Sequence, residues 1–155
     1  MGAHIATEPF DSDDAHRLVG RLDAGLAELY PPEQRFGPNL KAEDLDAGRG
    51  AFLVARSDGE AIGCGAIRLL DRGTAEIKRM YVEPARRGQG VGRAVLAELE
   101  RVGAGMGVSR LVLETGIHQH AAIGLYRSAG FVPIDCWGEY ATAATSVCFE
   151  KRIRR

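Results

Sequence analysis

No hydrophobic run in this sequence approaches the roughly 20 apolar residues that a membrane-crossing helix requires. Cysteine is scarce. Cys64, Cys136 and Cys148 are odd in number, widely spaced and free of any Cys-x-x-Cys pair. A disulfide framework and a zinc knuckle are therefore disfavoured, and reduced thiols are the expectation. Excess positive charge is missing as well: 20 basic and 21 acidic residues leave a formal charge of −1, which speaks against a general nucleic-acid binder. There is no internal repeat and no low-complexity tract. The opening residues lack the basic-then-apolar layout of a secretion signal, and Ala6 stands where a myristoylation signal wants Ser or Thr. A cytoplasmic protein without membrane or nucleic-acid partners is expected, and a homodimer is left open.

What is present suits one domain over residues 1–155, a length that buries a core without staples. Residues 5–10 read as a short first strand. Asp11 and Ser12 are N-cap candidates, with Asp13 and Asp14 in the first turn of a helix carrying Leu18, Val19, Leu22, Leu26, Leu29 and Tyr30 at helical spacing. Pro31 and Pro32 stop it. A short helix is expected near residues 41–45. Strand-like runs at 51–56, 61–70 and 74–82 are separated by Ser57-Asp58-Gly59 and Asp71-Arg72-Gly73 turns, which predicts an antiparallel meander. Residues 90–107 follow as a helix ended by Gly107, then a strand at 111–113, a helix at 120–129 closed by Gly130, and strands at 131–137 and 146–153. A strand, helix and strand in succession place a parallel pair inside a mixed sheet.

The densest signal is the stretch Met80-Tyr81-Val82-Glu83-Pro84-Ala85-Arg86-Arg87-Gly88-Gln89-Gly90-Val91-Gly92. A strand ends, proline breaks it, and a glycine-rich turn opens a helix. The first amides of a helix lack intrahelical partners and carry the positive end of its dipole. Glycines let that backbone approach a bulky anion, and Arg86, Arg87 and Arg93 add charge. The spacing fails the Gly-x-Gly-x-x-Gly of a dinucleotide fingerprint, and no Gly-Lys-Ser/Thr ends a phosphate loop. A tight connection without ligand is the plain alternative.

Val82-x-Pro84-x-x-Arg87-Gly88-x-Gly90-Val91-Gly92 is similar to the acetyl-CoA signature of the GNAT superfamily, Arg/Gln-x-x-Gly-x-Gly/Ala, with Arg87, Gly90 and Gly92 at its three defined positions. Ala122-Ile123-Gly124-Leu125-Tyr126-x-x-x-Gly130-Phe131 resembles the family's second block. Residues 76–81 and 113–116 look like a bacterial branch of that superfamily. The resemblance spans nearly the full chain, most specifically residues 74–131. It implies an α/β (α+β) GNAT fold: a mixed, mostly antiparallel six- to seven-stranded sheet with helices on both faces, the strands splayed at the acetyl-CoA site. It implies an acetyl-CoA-dependent N-acetyltransferase without a metal, with acetyl-CoA as co-substrate. Amides of Gly88, Gln89, Gly90, Val91 and Gly92 would hold the diphosphate. The backbone around Met80, Tyr81 and Val82 would hold the pantetheine and polarise the thioester. Tyr126 falls where the family often has a tyrosine near the CoA sulfur. Gln119 stands where the family often has an Asn that helps hold CoA.

Acyl transfer to an amine sets three demands. The amine must lose a proton, since an alkyl ammonium has a pKa of ~10.4. The carbonyl oxygen must be stabilised, and the departing thiolate protonated or otherwise stabilised. Tyr126, a phenol, suits the last role; packing against the core is its plain alternative. Glu76 and Glu114 are the candidates for the base, directly or through water, with ion pairing such as Glu76 with Lys78 as the alternative. Strand alternation puts Glu76, Lys78, Met80 and Val82 on one side of the sheet. His118 and His120 read as solvated loop residues and Trp137 as packing. The acceptor side draws on residues 29–45 and 135–146, with Tyr30, Arg35, Phe36, Glu139 and Tyr140. Glu139 with Glu114 would suit a cationic amine, and Arg35 or Arg79 a carboxylate. The expected activity is acetylation of a primary amine of a small molecule by direct attack in a ternary complex. A protein N-terminus or lysine as acceptor, and a CoA-binding regulatory domain without transfer, stand as alternatives.

Overall fold

Ser12 starts the first helix as its side chain suggests. In the computed structural model, which describes residues 2–34 and 40–153, its Oγ accepts from the Ala15 amide at 3.1 Å. Strand β1 (His4–Thr7) precedes this helix, α1 (Asp13–Leu29), which stops at Tyr30 before the two prolines. Short 3-10 helices at Pro32–Gln34 and Ala42–Leu45 lead to β2 (Gly50–Ser57), β3 (Glu60–Leu69) and β4 (Thr74–Val82). Then follow α2 (Val91–Gly105), β5 (Arg110–Gly116), α3 (His120–Ser128), β6 (Val132–Ile134) and β7 (Ser146–Arg152). Glycine ends both later helices in the same way. Gly107 (φ 84°) lets Val108 N reach Gly103 O at 2.9 Å, and Gly130 (φ 96°) lets Phe131 N reach Tyr126 O at 3.0 Å.

The strands form one seven-stranded sheet in the order β1-β2-β3-β4-β5-β7-β6. Every neighbouring pair is antiparallel except β4 and β5, which α2 joins as the crossover a parallel pair needs. Helix α1 covers one face, with Ala15 and Leu18 against Phe52, Val54, Cys64 and Ala66. Helices α2 and α3 cover the other, with Val95, Leu99 and Tyr126 against Leu53, Ile67, Ile77, Leu113 and Phe149.

Four expectations are corrected, the last of them along β4. The first strand stops at Thr7 rather than residue 10, because Phe10 turns off the sheet to pack edge-on against Phe52, ring centroids 5.2 Å apart. The sixth strand is confined to Val132–Ile134, because Phe131 turns inward onto Tyr126 and the chain leaves the sheet before the 3-10 helix Gly138–Thr142. The cysteines are not all reduced. Cys136 and Cys148 are bonded, with Cα atoms 5.2 Å apart. The β6–β7 pairing sets Ile134 opposite Cys148, and the chain leaving β6 there keeps Cys136, two residues on, within reach of it. Cys64 alone is free, and burial pushes its thiol up to about 12. The bridge closes a segment containing Tyr140, and its reduction is expected to cost about 2–4 kcal/mol. Urea unfolding with and without dithiothreitol measures this; coincident midpoints would mean that the bridge does not form in solution.

The alternation along β4 is broken. Cys64 pairs Tyr81, yet Ala66, two residues on, pairs Lys78, three residues back. The extra residue is a bulge, and Arg79 takes the left-handed conformation there (φ 58°). Glu76 and Lys78 therefore face the α1 side, while Met80 and Val82 join Ile77 in the α2 core and Tyr81 faces α1. The expected common face of Glu76, Lys78, Met80 and Val82 does not exist, because one inserted residue shifts a period of two. Gly65 makes room for this: a Cβ there would lie 2.7 Å from Met80 Sδ.

Candidate active site

Beyond Val82 the chain makes a 3-10 turn at Pro84–Arg86, and Arg87 folds back to donate Nε to Val82 O at 2.9 Å. Its guanidinium lies 5.6 Å over the Tyr81 ring. Gly88 (φ 78°) and Gly90 (φ 84°) follow, each with no atom within 4 Å of where a Cβ would stand. The amides from Gly88 to Arg93 donate to no acceptor among the described residues, and the first helical bond is Ala94 N to Gly90 O, 3.0 Å. Exposed, unpaired amides over open space at the positive end of α2 fit a diphosphate. Buried Val91 anchors the turn, and Gly92 lets α3 close in, since a Cβ there would meet Leu125 Cδ2 at 3.2 Å. Gln89 folds its Nε2 onto Ala85 O at 3.4 Å.

The last parallel pair of β4 and β5 is Ile77 with Leu113. Past it the two strands share no further bridge, and a cavity of about 140 Å³ opens between them. Helix α3 lies on the α2 side of the sheet and Glu114 on the α1 side, yet Tyr126 and Glu114 both line this cavity. The gap between the strands makes that meeting possible. Tyr126 is 5% exposed, braced by Phe131 and Phe149, and its hydroxyl has no hydrogen-bond partner among the described residues. Burial, with the Glu114 charge adding to it, pushes its ionisation upward, so the phenol keeps its proton.

The two candidate bases differ. Glu76 is 1% exposed and fully engaged. Its Oε1 accepts from Arg68 Nε and Nη2 at 3.1 and 2.9 Å, and its Oε2 accepts from Tyr140 Oη at 2.8 Å. Lys78 Nζ donates to Tyr140 Oη at 3.0 Å and stands 3.6 Å from Glu76 Oε2. Glu114 is half-buried. Its Oε2 accepts from Ser146 Oγ at 2.7 Å, and its Oε1 has no partner among the described residues. Burial raises its pKa, against the lowering effect of the Ser146 hydrogen bond and the Lys78 charge.

The remaining candidates scatter. Gln119 lines the cavity but already uses its side-chain oxygen on Gly116 N at 2.8 Å. Tyr30 is buried as a strut, its hydroxyl accepting from His118 N at 3.0 Å. A Cβ on Gly116 would fall 1.8 Å from that hydroxyl, so only glycine fits there. Glu139 is exposed and does not line the cavity, Tyr140 and Arg79 line it, and Arg35 and Phe36 lie outside the described residues. Sequence reasoning missed Arg68, Ser146 and the Lys78–Tyr140 contact. Arg68 was within reach: counting outward from the Asp71-Arg72-Gly73 turn sets it opposite Glu76.

Residues 21–131 match the model of the acetyltransferase (GNAT) family. The chain belongs to that family. The acetyltransferase is 38% identical over 150 residues to an "IAA acetyltransferase" of Azospirillum brasilense, covering 96% of this chain and 97% of that one. A crystal structure of a protein from Klebsiella pneumoniae subsp. pneumoniae, provisionally named an acyl-CoA N-acyltransferase, superposes with a TM-score of 0.82 at 35% identity, over 97% of both chains. A GNAT family acetyltransferase from Elizabethkingia anophelis, solved with acetyl-CoA bound, shares the fold at 20% identity and a TM-score of 0.70, over 98% of this chain and 99% of that one. The acetyltransferase is thus an acyltransferase of the GNAT fold, and no helix among its described residues is long and apolar enough to cross a membrane.

Proposed function

We propose that this acetyltransferase is a single domain that moves an acetyl group from acetyl-CoA to a primary amine of a small molecule, by direct attack while both substrates are bound. One observation carries the reading: two side chains of opposite proton chemistry, Tyr126 and Glu114, line one cavity where β4 and β5 part, each with an unpartnered oxygen. The amides of Gly88 to Gly92 bind the diphosphate, Arg87 adds charge, and the bulged backbone at Met80, Tyr81 and Val82 aligns the pantetheine and thioester. Glu114 takes a proton from the acceptor ammonium, directly or through one water. The freed amine nitrogen bonds to the thioester carbon, the carbon–sulfur pair leaves with sulfur, and Tyr126 supplies the proton that makes the thiol. One ammonium and one thioester thus become one amide, one thiol and one released proton. Glu76 is held at both oxygens by Arg68 and Tyr140 and serves instead to position Lys78 and Tyr140. A CoA-release assay against an amine panel tests the reading, and no transfer to any amine by protein that binds acetyl-CoA would overturn it.

Glu114 must be unprotonated to act. Its raised pKa puts the acid limb of the rate profile above the ordinary carboxylate value, so activity falls as pH drops through that limb. Glu114→Gln is expected to lower kcat by about 10²-fold and abolish the limb. A variant keeping both rate and limb would hand the role to water. The same shift has a stability sign. Folding favours protonated Glu114, so its charge costs stability above its folded pKa, and the Gln variant should be the more stable at neutral pH.

A cytoplasmic setting suits an enzyme that draws on acetyl-CoA. There Cys136–Cys148 meets a reducing thiol pool, which makes its stability contribution conditional.

A further inference from the structure

The cavity is lined by two cations, Lys78 and Arg79, as well as by two carboxylates, Glu76 and Glu114. Glu76 is balanced by Arg68, which grips its Oε1 with two nitrogens. Lys78 stands beside the other oxygen, Oε2, which already accepts from Tyr140 Oη. Its three N–H groups meet Tyr140 Oη at 3.0 Å and, at a long 3.6 Å, Glu76 Oε2. Burial disfavours this ammonium, and a nearby anion would relieve it. Arg79, next in the chain, lines the same cavity. Its Nη1 reaches Asp23 at 3.1 Å, but its Nε is buried with no hydrogen-bond partner among the described residues. A buried unpaired donor in a left-handed, non-glycine residue is a costly arrangement. A pocket meant only for an ammonium would be weakened by both cations.

The negative group stands beside them. Lys78 and Glu114 each lie one residue past the last parallel pair, Ile77 with Leu113, on neighbouring strands. Strands in a sheet lie roughly 4.8 Å apart, a span that the two charged ends of one small molecule bridge. Leu22 and Leu26 of α1 add an apolar wall, and a volume of about 140 Å³ admits only a small group.

We propose that the acceptor is a small α-amino acid, its carboxylate held by Lys78 beside the Arg79 guanidinium while its amine meets Glu114. The inference rests on the acetyltransferase reading above and specifies its substrate. The acyl transfer is the one already described, with the carboxylate taking no part in bond making.

The test compares each of a set of L-amino acids with its own carboxamide, in steady-state CoA release by the wild-type enzyme. The carboxamide has the less basic amine, so intrinsic reactivity at neutral pH favours it. The expected result is the reverse, with kcat/KM at least about tenfold higher for the acids, expressed mainly in KM. Lys78→Gln and Arg79→Asn should each raise KM for the acids and bring the acid-to-amide ratio towards one. Asparagine adopts the left-handed backbone readily, so the second variant removes the guanidinium while keeping the bulge. Carboxamides preferred by the wild type, or a ratio untouched in both variants, would overturn the inference. Brisk acetylation of amides and diamines with rejection of the acids would overturn it alone, leaving the acetyltransferase reading intact. Failure with every amine, in protein that calorimetry shows to bind acetyl-CoA, would remove both.

Discussion

Replacing Tyr126 by Phe is expected to lower turnover by about 10²-fold, with acetyl-CoA affinity kept within about threefold of the wild type. The substitution removes one oxygen from a ring 5% exposed and leaves its packing against Phe131 and Phe149 in place. Nothing among the described residues hydrogen-bonds to that oxygen, so no structural partner is orphaned. What disappears is a donor that burial and the Glu114 charge keep protonated. A thiolate is a better leaving group than an alkoxide, which is why the lower end of the usual range for general acids applies. Thiol release gives kcat, and calorimetry gives acetyl-CoA affinity. A variant with wild-type kcat would reduce Tyr126 to a packing residue. Loss of affinity without loss of kcat would make it a binding contact.

The largest effect on coenzyme affinity is expected at Gly90. Gly90→Val should weaken acetyl-CoA binding by at least about 100-fold and destabilise the fold by roughly 1–3 kcal/mol. Two causes act together. Gly90 has φ 84°, a conformation that a β-branched residue adopts only under strain. Its missing Cβ also leaves open the space in front of the free amides, with no atom within 4 Å. Gly90→Asn separates the causes, because Asn tolerates the left-handed region but fills the same space. The asparagine variant should keep most of the stability and still bind acetyl-CoA poorly. Wild-type binding by the valine variant would place the diphosphate elsewhere.

The parts of this protein legible in its sequence are those whose physics is local. Ser12 and the prolines at 31 and 32 bound α1, Gly107 and Gly130 close the later helices, and β4 occupies Thr74–Val82 between the Asp71-Arg72-Gly73 turn and Pro84. The glycine turn was legible for the same reason. Positive φ at Gly88 and Gly90, and a helix starting at Val91, follow from neighbours within a few residues. The cavity between β4 and β5 was read less well. Glu76 and Glu114 looked alike as carboxylates on neighbouring strands. One proves held at both oxygens by Arg68 and Tyr140 while the other keeps an oxygen free, and that difference lies in partners far along the chain.

By itself the sequence determined the order of elements, the glycine turn that opens α2 and membership of an acetyltransferase family, because each is written in short-range spacing. Only the tertiary structure decided which carboxylate is available, which way Met80 and Val82 face, and that Cys136 meets Cys148. These depend on the inserted residue in β4 and on the pairing of β6 with β7. The register between distant strands is set by the whole sheet rather than by any local pattern, and a slip of one residue exchanges the two faces.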